Sequence, residues 1–131
     1  TERETGTVWV YTLDDYRLAH QFVAPENIRK NRQFGRSIAL WQDLLLVGAA
    51  DIEIPRSEGQ KRKKNVGSAY LFDLGTGVLL QEIPNPAAQS FEYFGSGVTL
   101  GPIGAVIVAQ EARDTENTKG AVYVYRVSNA P

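Results

Sequence analysis

Apolar and polar residues follow one another in short runs along this chain, and the runs come back. Gly6-Thr7-Val8-Trp9-Val10-Tyr11 returns as Gly67-Ser68-Ala69-Tyr70-Leu71-Phe72, and again as Gly120-Ala121-Val122-Tyr123-Val124-Tyr125. Phe34-Gly35-Arg36-Ser37-Ile38-Ala39-Leu40 returns as Phe94-Gly95-Ser96-Gly97-Val98-Thr99-Leu100. Gly6 to Gly67 spans 61 residues and Phe34 to Phe94 spans 60, while Gly67 to Gly120, across the shorter second loop, spans 53. A near-constant spacing of this size marks stacked supersecondary units, none of which buries its own faces alone.

The runs are short, rich in β-branched and aromatic residues, and bounded by Gly, Pro, Asn or Asp, which is the signature of strands. They predict strands at Val8–Tyr11, Leu18–Val23, Arg36–Leu40, Leu44–Ala49, Ser68–Phe72, Val78–Ile83, Ser96–Leu100, Ala105–Ala109 and Ala121–Val127. Asp73-Leu74-Gly75-Thr76-Gly77 reads as a hairpin turn. Ile28 to Phe34 is the one stretch that competes for a helix, and it reads as loop. Four strand types recur: A after Phe-Gly, B the aliphatic run, C after the Gly of Gly-x-x-Tyr, and D. The chain runs C-D, A-B-C-D, A-B-C.

Along strand type C, Val8, Val10, Ala69 and Leu71 point one way and Trp9, Tyr11, Tyr70 and Phe72 the other. Apolar residues on both faces predict a sheet sandwiched between neighbours. The expected architecture is therefore all-β, a β-propeller segment of four-stranded antiparallel blades with about two repeats of roughly 60 residues. A two-sheet sandwich is the alternative. The divisions are 1–33 (strands C-D), 34–93 (a complete unit) and 94–131 (strands A-B-C). Trp9 is expected in the core, because Tyr70 and Tyr123 are its equivalents. Val8, Trp9, Val122 and Tyr123 are expected on apolar faces that need a cover.

Composition narrows the function classes. The formal net charge is −1, from 14 basic and 15 acidic residues, so no global pull toward nucleic acid or an anionic membrane is expected. There is no cysteine, hence no disulfide frame and no thiolate metal site. The longest apolar stretch, Leu44 to Ala50, suits a buried strand and is far short of a membrane span. Two units fall below the three or more that stacked repeats need. The chain lacks methionine and begins with Thr. The unit count predicts a fragment or one protomer of a larger assembly, and the missing Met predicts a processed or trimmed chain.

Phe-Gly-x-Ser, followed by Leu-Leu-Val-Gly-Ala and then Gly-Ser-Ala-Tyr-Leu-Phe, resembles the FG-GAP repeat, the propeller repeat of integrin α-chains and of many bacterial surface and secreted proteins. The resemblance spans nearly the whole chain. The copy from Phe34 to Asn85 is close; the copy from Phe94 carries Val108-Ala109 where Gly-Ala is expected. It implies a surface, secreted or periplasmic protein and a non-catalytic role in binding or assembly. The loops B–C and D–A would face ligand. The resemblance also implies a calcium loop between strands A and B. Trp41-Gln42-Asp43 offers one carboxylate there and Gly101-Pro102-Ile103 none, against the six to eight oxygens calcium takes.

Candidate chemistry gathers in the first B–C loop, Asp51 to Val66, sixteen residues against nine in its counterpart Glu111 to Lys119. Arg56, Lys61, Arg62, Lys63 and Lys64 form a basic cluster suited to an acidic protein surface or an anionic glycan, or simply to a solvated loop tip. Asp51 and Glu53, with Asp114 and Glu116 in the second copy, set carboxylates at alternate positions, a weak alternative cation site. Trp41 sits in a turn and is expected to be exposed, open to a sugar ring or a partner. No cofactor is expected, and no catalytic set: His20 is the only histidine and falls in a strand. The expected partners are another protein or further blades, including copies of the same chain. The alternatives are a structural subunit of an extracellular appendage and a non-catalytic part of a larger propeller enzyme.

Overall fold

The structure, a computed structural model, describes residues 6–25, 33–53, 58–112 and 119–126. Nine strands follow one another in those residues: β1 (Thr7–Tyr11), β2 (Leu18–Val23), β3 (Phe34–Trp41), β4 (Leu44–Ala49), β5 (Ser68–Asp73), β6 (Leu79–Pro84), β7 (Phe94–Gly101), β8 (Gly104–Ala109) and β9 (Ala121–Arg126). No helix occurs among the described residues. Pairing is antiparallel throughout, in three open sheets ordered β1-β2, β3-β4-β5-β6 and β7-β8-β9. The predicted order of strand types is the observed one. The helix-competing stretch lies largely outside the described residues.

The sheets stack face to face, with the four-stranded sheet in the middle. Successive residues on a strand point to opposite faces, and β4 uses that to serve two cores. Leu45, Val47 and Ala49 enter a core with Val8, Phe22, Phe34, Tyr70 and Phe72, between the first and middle sheets. Leu46 enters a second core with Ala69, Ile83, Phe94, Ala105, Ile107 and Ala109, between the middle and third sheets. Tyr70 and Phe72 face the first core, whereas Ala69 is in the second and Leu71 packs against it. A two-layer sandwich has no sheet buried on both faces, so the middle sheet departs from that alternative.

Both Phe-Gly dipeptides sit at seams. Phe34 and Phe94 are buried, Phe34 within 5.8 Å of Tyr70 and Phe94 within 5.4 Å of Tyr123, ring centre to ring centre. Each burial is worth about 1.5–3 kcal/mol. Gly95 adopts φ +92°, and a Cβ there would overlap the Ser68 carbonyl oxygen. The Ser37 hydroxyl donates to the Gly95 carbonyl at 2.9 Å, and a side chain at Gly48 would fill the same space. A β-bulge follows each Phe-Gly, in the steps Phe34 to Ser37 and Phe94 to Gly97. It turns the strand start toward the neighbouring sheet.

The repeated cradle is altered in the third sheet. Ser37 pairs with Gly48 across β3 and β4, whereas Gly97 pairs with Val108 across β7 and β8. The bulk moves from one strand to the other. Gly48 carries the backbone of β7 against it; Val108, half-buried, occupies the equivalent position in the third sheet, where no described strand makes that approach.

Two expectations about the end sheets are corrected. Trp9 is not in the core but 54% exposed, because it points away from the middle sheet and no described strand lies beyond it. Of the four residues expected on uncovered faces, Trp9 and Val122 are exposed, Val8 is buried in the first core, and Tyr123 packs against the second. The reason is the consistent facing of the repeat. The Trp9-type position looks back along the stack and the Val8-type position looks forward, so each end sheet uncovers only one of them.

Candidate functional site

The loop from β4 to β5 meets the loop from β6 to β7 at one end of the middle sheet. The meeting is made by backbone as much as by side chain. Phe91 N–H donates to Lys64 O at 2.8 Å, Tyr93 N–H to Asn65 O at 3.0 Å and Phe94 N–H to Val66 O at 3.1 Å. Lys64 N–H donates to Ser90 Oγ at 3.3 Å, and Asn65 Nδ2 to the Tyr93 hydroxyl at 3.0 Å. The long loop is thereby tied down along Lys63 to Val66.

Beneath it lies a buried polar knot. Asn85 Nδ2 donates to Val66 O at 3.0 Å and to Glu92 Oε2 at 2.7 Å, while its Oδ1 accepts from Ala87 N–H at 3.0 Å. Gln89 N–H adds a contact to Glu92 Oε2 at 3.4 Å. Glu92 is 1% exposed and Asn85 4%. A carboxylate at such depth is tolerable only with hydrogen bonds of this kind. Neither Asn85 nor Glu92 is among the candidate residues that the sequence pattern singles out.

The same corner holds unusual backbone. Asn65, Ala88, Phe91 and Tyr93 have φ of 52°, 50°, 64° and 53°. Such values cost non-glycine residues free energy, and they persist where surrounding contacts enforce them. Beside Tyr93, a cleft of about 190 Å³ opens across the seam between the middle and third sheets. Gln33, Arg36 and Ala50, around the start of β3 and the end of β4, line one side, and Tyr93, Ser96, Gln110 and Glu111, around the start of β7 and the end of β8, line the other. It is polar and holds charges of both signs.

The sequence candidates fall as follows. Lys61, Arg62, Lys63 and Lys64 are all exposed. Arg62 forms an ion pair with Glu53 at 3.3 Å, and Lys63 Nζ donates to Ala88 O at 2.9 Å. These contacts aim part of the basic run at its own protein. Asp51 and Glu53 flank buried Ile52, whose carbonyl accepts from Val66 N–H at 2.9 Å. No group of three or more His, Cys, Asp or Glu positioned for a metal occurs among the described residues. Arg56, Asp114 and Glu116 lie outside the described residues.

Trp41 ends β3, opposite Leu44, and is 37% exposed. Phe34 opposes Ala49 at the other end of the same hairpin. Trp41 and the basic run therefore occupy opposite ends of the middle sheet, and the structure does not join them into one site. No helix among the described residues is long and apolar enough to cross a membrane. No protein-family model matches the chain, and no curated protein matches it.

Proposed function

We propose that this chain is a segment of a β-propeller of the FG-GAP kind, serving binding or assembly rather than catalysis in a surface, secreted or periplasmic protein. The observation that carries the reading is the gathering of the two long loops at one end of a stack of repeated sheets. There a rigid, doubly buried scaffold presents the exposed basic run beside a polar cleft. Binding residues concentrate on loops held by such scaffolds. The partner is a protein with an acidic surface or an anionic glycan, met by Lys61, Arg62, Lys63 and Lys64.

Exposed charges act weakly one by one and are screened over about 10 Å at moderate salt. Contact is therefore spread over several side chains and is salt-sensitive. The test uses a sulfated heparin oligosaccharide and a polyglutamate peptide as probes. Replacing Lys61, Arg62, Lys63 and Lys64 together by Ser should slow association with at least one probe and flatten its salt dependence. Equal binding by parent and variant, at low and high salt, contradicts this part of the reading.

A second reading, a structural subunit of an extracellular appendage, is favoured by the apolar faces at both ends of the stack. Trp9 and Tyr11 are exposed on one end, Val122 and Val124 on the other. Apolar surface arranged this way invites a cover. Light scattering at increasing concentration separates the two: growing assemblies support the subunit, and a constant monomer mass opposes it.

A further inference from the structure

The cleft beside Tyr93 has two walls of one design. Gln33, Arg36 and Ala50 on one wall, and Tyr93, Ser96 and Gln110 on the other, are equivalent positions 60 residues apart. The backbone turns the same way on both: Arg36 N–H donates to Gln33 O at 3.0 Å, and Ser96 N–H to Tyr93 O at 3.0 Å. The side chains break the likeness. Arg36 brings a positive charge where the other wall has Ser96, and Glu111 adds a negative charge to the Ser96 wall. Both walls are tied in place. The Ser37 hydroxyl, next to Arg36, donates to Gly95 O at 2.9 Å, and Glu111 N–H donates to Glu92 O at 3.3 Å. Among the described residues, neither the Arg36 guanidinium nor the Glu111 carboxylate has an ion pair or a side-chain hydrogen bond.

Two opposite charges that share a cleft without neutralising each other select a ligand that carries both. We propose that the cleft binds a free α-amino acid as its zwitterion, carboxylate on Arg36 and ammonium on Glu111. A planar carboxylate matches the fork of a guanidinium. An ionised Glu111 only accepts, so the cation it takes must carry N–H groups. The Gln33 and Gln110 amides add donors and acceptors around the ligand. At about 190 Å³ the cleft is smaller than the roughly 300–1,000 Å³ of drug-sized sites, which suits a ligand of this class. A polyanion, the class met by the basic run, is opposed here by Glu111. An internal peptide segment lacks both α charges. The cleft is thus a site of its own, beyond the one assigned to Lys61, Arg62, Lys63 and Lys64.

The test titrates the isotope-labelled full chain with glycine at constant ionic strength and follows its amide NMR signals. Saturable shifts should appear at Arg36, Ser96, Gln110 and Glu111, with a Kd on the order of millimolar because both charges stay partly solvated. N-acetylglycine and glycine methyl ester each lack one charge, and betaine lacks N–H groups; each should bind about fivefold or more weakly than glycine. Arg36→Gln and Glu111→Gln should each weaken glycine binding by about fivefold or more. Arg36 is exposed and Glu111 half-buried, so both changes are compatible with folding. Shifts that do not saturate overturn the proposal, as do equal responses to all four probes or indifference to both substitutions. Replacing Lys61, Arg62, Lys63 and Lys64 together by Ser should leave glycine binding as in the parent. If the parent binds heparin or polyglutamate through those residues but does not bind glycine, the cleft proposal fails and the reading of the basic run stands.

Discussion

Between the first and middle sheets, Ile38 and Leu40 stand more than half exposed; between the middle and third sheets, the equivalent Val98 and Leu100 are partly buried. The side chains are alike and the strands carrying them run in the same order. What differs is the neighbour: β7 rests on β3 and β4, and among the described residues β3 has only the sheet of β1 and β2 to rest on. Burial in a repeat protein is thus a property of the pair of units. The second seam is also tighter, because Ser37 and Gly48 let the backbone of β7 come directly against the middle sheet.

The largest expected effect tests whether the second seam is held by its Phe-Gly wedge. Phe94→Ala should cost about 3–5 kcal/mol in urea unfolding, and Phe34→Ala should fall toward the low end of that range beside its more open neighbour. A loss below about 1 kcal/mol for Phe94 would show that its ring is not packed as described. The close approach is tested next. Gly48→Val places in the middle sheet the residue found at the equivalent position, Val108, and should destabilise by about 1–3 kcal/mol through overlap with the β7 backbone. Val108→Gly meets no such overlap and should cost less. Equal costs would break the distinction between the seams.

Tyr70 sharpens the picture from the first seam. Its hydroxyl is buried with no hydrogen-bond partner among the described residues. Burial, reinforced by the nearby Glu82 charge, pushes its phenol well above the ordinary value of 10.0. The folded chain therefore holds that proton where the unfolded chain releases it. Stability from this source is whole below about pH 10 and declines as the pH rises beyond it. Tyr70→Phe should gain about 1 kcal/mol at neutral pH by removing the orphaned hydroxyl, and should resist alkaline unfolding better than the parent. The smallest effect belongs to Ser37→Ala, which removes the hydroxyl bond to Gly95 and should cost about 0.5–1.5 kcal/mol.

Strand order was legible because Gly, Pro, Asn and Asp punctuate the runs and the repeat shows each strand type at least twice. Facing was legible too, from period-two alternation: Val8 with Ala69, and Trp9 with Tyr70. What alternation does not carry is whether a neighbour exists, and Trp9 was misplaced for that reason. The Asn85–Glu92 knot was hidden because three of its hydrogen bonds need the β6–β7 loop to fold back on itself and the fourth needs Val66 of the other loop. Left-handed backbone at Ala88, Phe91 and Tyr93 left no trace either, since Gly and Asn are the residues that announce it. The basic run was plain as charge, but its contacts to Glu53 and Ala88 depend on tertiary structure.

Interproton contacts from β4 in solution test the stacked arrangement most directly. Leu45 and Leu46 are adjacent, and the account sends them to different sheets: Leu45 to the core with Phe22, Leu46 to the core with Ile107. Selective methyl labelling should show Leu45 near first-sheet protons such as those of Phe22, Leu46 near third-sheet protons such as those of Ile107, and no exchange of roles. Both methyl sets reporting the same sheet, or Leu46 reporting only solvent, would contradict it.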